Sequence, residues 1–277
     1  MKTGADFVDR SIRGALAFFK EALFAEETAA LPGVLQALEP RVKMATVLLA
    51  LLLALFTRSM AVLGVLYLLT LLLAVLSRIP FRTFLLRTWV FIPLFSLMIA
   101  VPALFSFVSP GEAVWSAGPL SVTRPGLAAA GFFVGRVLTS VSLTVLLSMT
   151  TRHFELLRAL RFFRVPQLFV MVLGMAYRYI YLFVEIVENT HRAIRSRAGA
   201  GMHYEKGQKI VTWNIAQLWT RSYSLNEQVY NAMVSRGFRG EPAALEHTRT
   251  RPLDWLWLLG SLAALLLLAY AEHRSQA

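Results

Sequence analysis

Two short stretches carry the side chains best suited to engaging a partner. One reads His191-Arg192-Ala193-Ile194-Arg195-Ser196-Arg197-Ala198 and runs into Gly199-Ala200-Gly201. The other reads Asn231-Ala232-Met233-Val234-Ser235-Arg236 and runs into Gly237-Phe238-Arg239-Gly240. Each sets a Ser-Arg-small triplet, Ser196-Arg197-Ala198 and Ser235-Arg236-Gly237, at the end of an amphipathic helix, where glycine supplies the left-handed cap. A cation at that end complements the helix dipole, and this alone accounts for an arginine there. Arginine also presents a rigid fork of donors matched to carboxylates, which is docking chemistry. Two similar knobs on one chain fit two similar partners, or both halves of one dimer.

Arg136 stands apart from these. It lies in the middle of the apolar run Gly126–Met149, where insertion of an arginine costs roughly 2.5–3.5 kcal/mol. An ion so placed faces the bundle or a subunit, either in a functional role or bonded to backbone carbonyls. Other reactive groups are scarce. No Gly-x-x-x-x-Gly-Lys-Ser/Thr or His-Glu-x-x-His pattern occurs, so neither P-loop ATP hydrolysis nor that type of zinc site is expected. The histidines (His153, His191, His203, His247, His273) are never paired at i, i+3 or i, i+4. Cysteine is absent, which excludes thiolate metal sites and a cysteine nucleophile. No carboxylate lies between Glu39 and Glu112 or between Glu112 and Glu155, which argues against a proton- or sodium-coupled carrier and against a membrane hydrolase. Neither catalytic nor metal-binding residues are expected.

The elements that position these groups follow from composition. The 277 residues are 57% hydrophobic and 16% charged, with 28 Lys+Arg against 16 Asp+Glu. A chain this apolar yet basic is an all-α integral membrane protein. Residues 1–43 hold no run of the ~20 apolar residues a span needs, and no signal peptide is expected there. Five spans are read: Met44–Phe56 and Met60–Leu76 as a tight hairpin, Thr88–Val108 kinked at Pro93 and Pro102, Gly126–Met149, and Leu253–Ala271 with Trp255, Trp257 and Tyr270 as interfacial anchors. Pro166–Val187 is apolar enough to cross, as a sixth span, but the charges of the flanking loops oppose it. With five spans, 24 Lys/Arg lie on one side and Arg58, Arg124 and Arg274 on the other. The positive-inside tendency then sets the N-terminus in the cytoplasm and the C-terminus outside. Gly174, Arg178, Tyr181, Glu185, Glu188, Arg192 and Arg195 form a polar stripe at steps of three and four, the mark of a helix that lies along an interface. The chain is thus divided into a cytoplasmic N-terminal amphipathic segment (1–43), a four-span domain (44–149), a cytoplasmic domain of amphipathic helices (150–252), and a final span with its tail (253–277).

These residues resemble the transmembrane T component of energy-coupling factor (ECF) transporters, importers of the ATP-binding-cassette class. The resemblance runs from about Leu38 to Gly240. It begins at Leu38-Glu39-Pro40-Arg41-Val42-Lys43, where the family has Asp-Pro-Arg-x-Lys, and continues through Thr150-Thr151, Leu157-Arg158-Ala159-Leu160, Val165-Pro166 and Tyr177-Arg178-Tyr179. It closes on Ser196-Arg197-Ala198 and Ala232-Met233-Val234-Ser235-Arg236-Gly237-Phe238. The family has Ala-Arg-Ser or Ala-Arg-Gly triplets at the two arginines, so the serine before each is a mild departure. The extension with Phe7-Val8-Asp9-Arg10 and Ala25-Glu26-Glu27 looks like the cobalt or nickel branch (CbiQ type) rather than the vitamin branch.

The resemblance implies a non-catalytic subunit in a bacterial or archaeal cytoplasmic membrane. It would bind no cofactor itself, ATP and magnesium belonging to two partner ATPase subunits. Coupling helices ending at Arg197 and Arg236 would dock into grooves of those subunits and pass their motion to a substrate-capturing membrane subunit, with or without a small accessory membrane subunit. Phe162, Phe163, Phe169, Trp213 and Trp219 are candidates for that last contact, and equally for contacts within the chain or with lipid. Pro40, Arg41, Lys43, Arg136 and Arg178 are candidates for intramembrane or structural roles. No nucleic acid is expected as a partner. A stand-alone carrier or channel is the rival from another class.

Overall fold

The computed structural model describes residues 14, 29, 31–89, 92–104, 113–117, 120–198, 204–240 and 251–276. Most of the expected N-terminal segment lies outside the described residues. Pro40 opens α1 (Pro40–Phe56): its fixed φ suits the first turn, and its missing N–H is no loss there. After the turn at Thr57-Arg58-Ser59 comes α2 (Met60–Leu76). Then follow α3 (Phe81–Trp89), α4 (Ile92–Ala100) and a 3₁₀ turn at Val101–Leu104. The long helix α5 (Arg124–Thr150) is capped by Thr123, whose Oγ1 accepts from the Gly126 N–H at 3.2 Å. A short α6 (His153–Leu160) and a 3₁₀ turn (Arg161–Phe163) lead to α7 (Gln167–Ala198) and α8 (Tyr204–Ser235), and α9 (Pro252–Gln276) closes the chain.

The all-α membrane class holds, with one addition. Strands β1 (Ala113–Ala117) and β2 (Leu120–Thr123) pair antiparallel just before α5, with a bulge between Ala113 and Trp115. Of the expected third span, Thr88–Val108, residues 88–89 and 92–104 are described. Helix is described over α3 and α4, as far as Ala100, and Val101–Leu104 tightens into a 3₁₀ turn. Pro102 lies within that turn, where its backbone has no N–H to donate.

Three helices among the described residues are long and apolar enough to cross a bilayer: Arg124–Thr150, Gln167–Ile194 and Pro252–Arg274. Met60–Leu76 is apolar but shorter. Gln167–Ile194 therefore qualifies by length and composition, and loop charge and its polar stripe argue against its crossing.

The chain separates into two compact units. One comprises Ala25–Ala159 with His247–Ala277; the other contains Leu160–Glu246. Among the described residues the first has two apolar clusters. Leu35, Leu38, Ala74, Ile79, Phe84, Leu146 and Met149 form one, and Ala54, Val62, Leu63 and Leu66 the other, with Phe132, Leu265 and Leu268 packed against it. Buried hydroxyls on α5 turn back to their own helix: Thr139 to Gly135 O, Ser142 to Leu138 O, Thr150 to Leu146 O. Polar groups are thereby satisfied internally, as a hydrocarbon surrounding requires.

Candidate functional site

The two arginine-bearing helix ends are built alike. On α7 the Ser196 hydroxyl donates to Ala193 O at 2.9 Å, and on α8 the Ser235 hydroxyl donates to Ala232 O at 3.0 Å. Each hydroxyl is thus folded onto its own helix, and the next residue, Arg197 or Arg236, is exposed. The shared pattern is Ala-x-x-Ser-Arg; its spacing is visible in the sequence, but the alanine carbonyl that accepts from each serine is not. Helix α8 ends in a Schellman motif: Gly237 N–H donates to Val234 O at 2.9 Å and Phe238 N–H to Met233 O at 3.0 Å, with Gly237 at φ 84°. Arg236 is the residue just before this turn. The corresponding glycines after α7, Gly199 and Gly201, and the side chain of Ala198 lie outside the described residues.

Within this unit α7 and α8 meet around a small cavity of about 130 Å³, lined by Ile186, Val187 and Thr190 from one helix and Trp213, Asn214, Gln217, Leu218 and Arg221 from the other. Both arginine ends lie C-terminal to that meeting point. The polar stripe of α7 includes exposed Arg178, the edge-to-face pair Tyr177–Tyr181 with centroids 5.0 Å apart, and the ion pair Glu188–Arg192. Phe162, Phe163, Phe169, Trp213 and Trp219 are all exposed.

The remaining candidates belong to the other unit, where they pin helices together. Lys43, 2% exposed, donates from Nζ to Thr150 O at 3.0 Å, so a cation of α1 satisfies the C-terminal carbonyl of α5. Arg136 of α5 does the reverse. Its Nη2 donates to Thr57 O, the C-cap of α1, at 2.8 Å, and its guanidinium carbon sits 4.6 Å above the Phe132 ring. Lys43 and Thr57 are 14 residues apart, as are Arg136 and Thr150. The two antiparallel helices are thus clamped at both ends of a segment of about 21 Å.

A second pair of pins joins α1 to α9. Asp254, 3% exposed, accepts from the Glu39 N–H through Oδ1 at 2.9 Å and from the Arg251 N–H through Oδ2 at 2.8 Å. One carboxylate therefore serves the backbone ahead of two helices, its bond to Arg251 being the reach-back half of a capping box. At the far end Glu272 accepts from the Thr57 hydroxyl at 2.6 Å and from the Arg58 N–H. Glu39 to Thr57 and Asp254 to Glu272 are both 18 residues, so α1 and α9 run parallel in one fixed register. Arg41 adds an ion pair to Glu39 at 3.5 Å. Burial nonetheless pushes the Glu39 carboxyl above its ordinary range; Arg41 opposes that rise and Asp254 adds to it.

Comparison with known proteins gives a consistent answer. The family model "Cobalt transport protein" (CbiQ) matches residues 33–247. The chain belongs to the CbiQ family. An uncharacterised protein of Methanocaldococcus jannaschii, MJ1571, is 31% identical over 268 residues, covering 96% of this chain and 92% of its own. The energy-coupling factor transporter transmembrane protein EcfT of Streptococcus thermophilus is 25% identical over 252 residues, 85% of this chain and 93% of its own. The nickel permease LarQ of Lactiplantibacillus plantarum is 25% identical over 178 residues, 64% and 61%.

The family drawn from the sequence motifs, the ECF T component in its cobalt/nickel branch, is thus the family found, and the protein is a multi-pass membrane subunit of that transport class. The CbiQ match contains Lys43, Arg136 and both arginine ends. Asp254 and Glu272 lie beyond it, and nothing local in the sequence announces them.

Proposed function

We propose that this CbiQ-family chain is the coupling subunit of an ECF importer for cobalt or nickel ions. Two ATPase subunits dock on the helix ends Ser196-Arg197-Ala198 and Ser235-Arg236-Gly237, and a membrane subunit captures the substrate. The carrying observation is the likeness of the two ends: the same serine back-bond, followed by an exposed arginine, within the matched region. Folding the hydroxyl back leaves the guanidinium as the group presented, and a carboxylate in an ATPase groove is its natural counterpart. ATP and magnesium reside in those partners, and this chain performs no hydrolysis. Its N-terminus faces the cytoplasm and its C-terminus the outside. The cobalt or nickel assignment is supported by the family description and by the nickel permease among the relatives.

The test is co-purification of the tagged chain from its native membrane, in wild-type form and as Arg197→Glu/Arg236→Glu. Losing a desolvated charge pair costs about 2–5 kcal/mol, so ATPase subunits present with the wild type should be absent from the double variant, and metal-dependent uptake should stop. Both arginines are exposed, so membrane insertion and melting temperature should not change. A double variant that still imports and retains its ATPases refutes the docking role.

A further inference from the structure

The α1, α2, α5 and α9 bundle encloses an apolar groove of about 360 Å³ that the coupling role leaves unexplained. Its walls are leucines and alanines, among them Ala50, Leu66, Leu143, Ala264 and Leu268. A gap so apolar does not hold ordered water, and its size and lining are those of a ligand pocket. On α9 the lining runs from Leu256 to Leu268, about 18 Å at the helical rise. Half of a ~30 Å hydrocarbon core is about 15 Å, the reach of one leaflet's acyl chain.

Thr70 and Ser261 in the lining bond back to their own helices, and the other polar groups are gathered at one end. Lys43, Thr46, Thr150 and Trp257 line the groove there. Trp257 Nε1 is buried with no acceptor among the described residues, and an unmet buried N–H is costly. Around this end Arg152 and Arg251 are exposed and Arg41 is partly so. The carboxylates that face them, Glu39 and Asp254, are 8% and 3% exposed, and Glu155 is half-buried on α6. The exposed charges next to this end in the chain, Arg152 two residues after Thr150 and Arg251 three before Asp254, are therefore guanidinium groups.

We infer that this groove seats one acyl chain of an anionic phospholipid. The chain lies between α2 and α9, the glycerol ester carbonyl accepts from Trp257 Nε1, and the head-group phosphate meets Arg152 and Arg251. The lipid completes the bundle's packing where the four helices leave a gap.

Gly260 makes this testable, because it lines the groove and a Cβ built on it meets nothing within 4 Å. Gly260→Leu should fill the space without displacing a neighbour, and in lipid-free micelles it should melt no lower than wild type. The experiment is native mass spectrometry of the full chain in mild detergent, exchanged with phosphatidylglycerol or phosphatidylcholine. Wild type should retain one phosphatidylglycerol, preferred about tenfold over phosphatidylcholine. Trp257→Phe should weaken retention about fivefold by removing one hydrogen bond, and Gly260→Leu should abolish it. Equal retention of the two lipids, no retained lipid, or unaltered retention in Gly260→Leu would each overturn the inference. So would a photo-crosslinker at Ala264, in the assembled complex, that captures a protein segment in place of lipid.

Discussion

The reciprocal pins between α1 and α5 make a quantitative prediction. Lys43→Met keeps the length of the buried stem and removes the ammonium, leaving Thr150 O without that donor. A hydrogen bond to a charged group is worth about 1.5–3 kcal/mol, so a loss of about 2 kcal/mol is expected. Arg136→Met removes the bond to Thr57 O and the stacking on Phe132 and should cost about 3 kcal/mol. The two sites lie about 21 Å apart along the helices, where independent mutations add to within 0.3–0.5 kcal/mol. These sites are not independent if both fix one helix pair in one register. Once either pin is gone the pair can slide, and the second pin is already partly lost. The double variant should therefore fall short of the sum by about 1 kcal/mol. Reversible unfolding in mixed micelles measures all three variants against wild type. Additivity within 0.5 kcal/mol, or a single variant that costs nothing, would refute the clamp.

Three further outcomes are expected. Asp254→Ala removes the acceptor of two backbone N–H groups and should destabilise the chain by about 2–4 kcal/mol, read in the same unfolding assay, with Asp254→Asn intermediate. Gly237→Ala forces a Cβ onto a residue at φ 84° and should cost about 1 kcal/mol; hydrogen exchange should show faster opening confined to the last turn of α8, and the proposed ATPase docking at Arg236 should weaken while that proposed at Arg197 persists. The Glu39 carboxyl is raised above its ordinary value of 4.5 by burial, so its proton favours the folded state. That contribution is complete below 4.5 and is lost as pH rises through the raised value. Glu39→Gln should therefore gain on wild type as melting is measured from pH 4.5 upward to neutrality, and a constant difference across that range would contradict the burial argument.

Local signals in the sequence determined a good deal. Apolar runs placed α1, α2, α5 and α9, because a helix in hydrocarbon must be apolar over its own length. The Ser-Arg-Gly triplet marked the end of α8, and at Gly237 the Schellman turn shows why: only a residue free of a Cβ enters that φ without strain. Prolines 93 and 102 announced a disturbance in the third apolar stretch, and at Pro102 the chain does tighten into a 3₁₀ turn. The short β-hairpin carried no signal beyond ordinary alternation. Least legible were the pins. Lys43 and Arg136 could be singled out as ions in apolar surroundings, but their acceptors are backbone carbonyls of another helix, and a carbonyl has no residue type to recognise. Asp254 and Glu272 pair with residues 215 positions earlier in the chain. Only the tertiary fold, by laying α9 parallel to α1, turns two equal 18-residue intervals into one register.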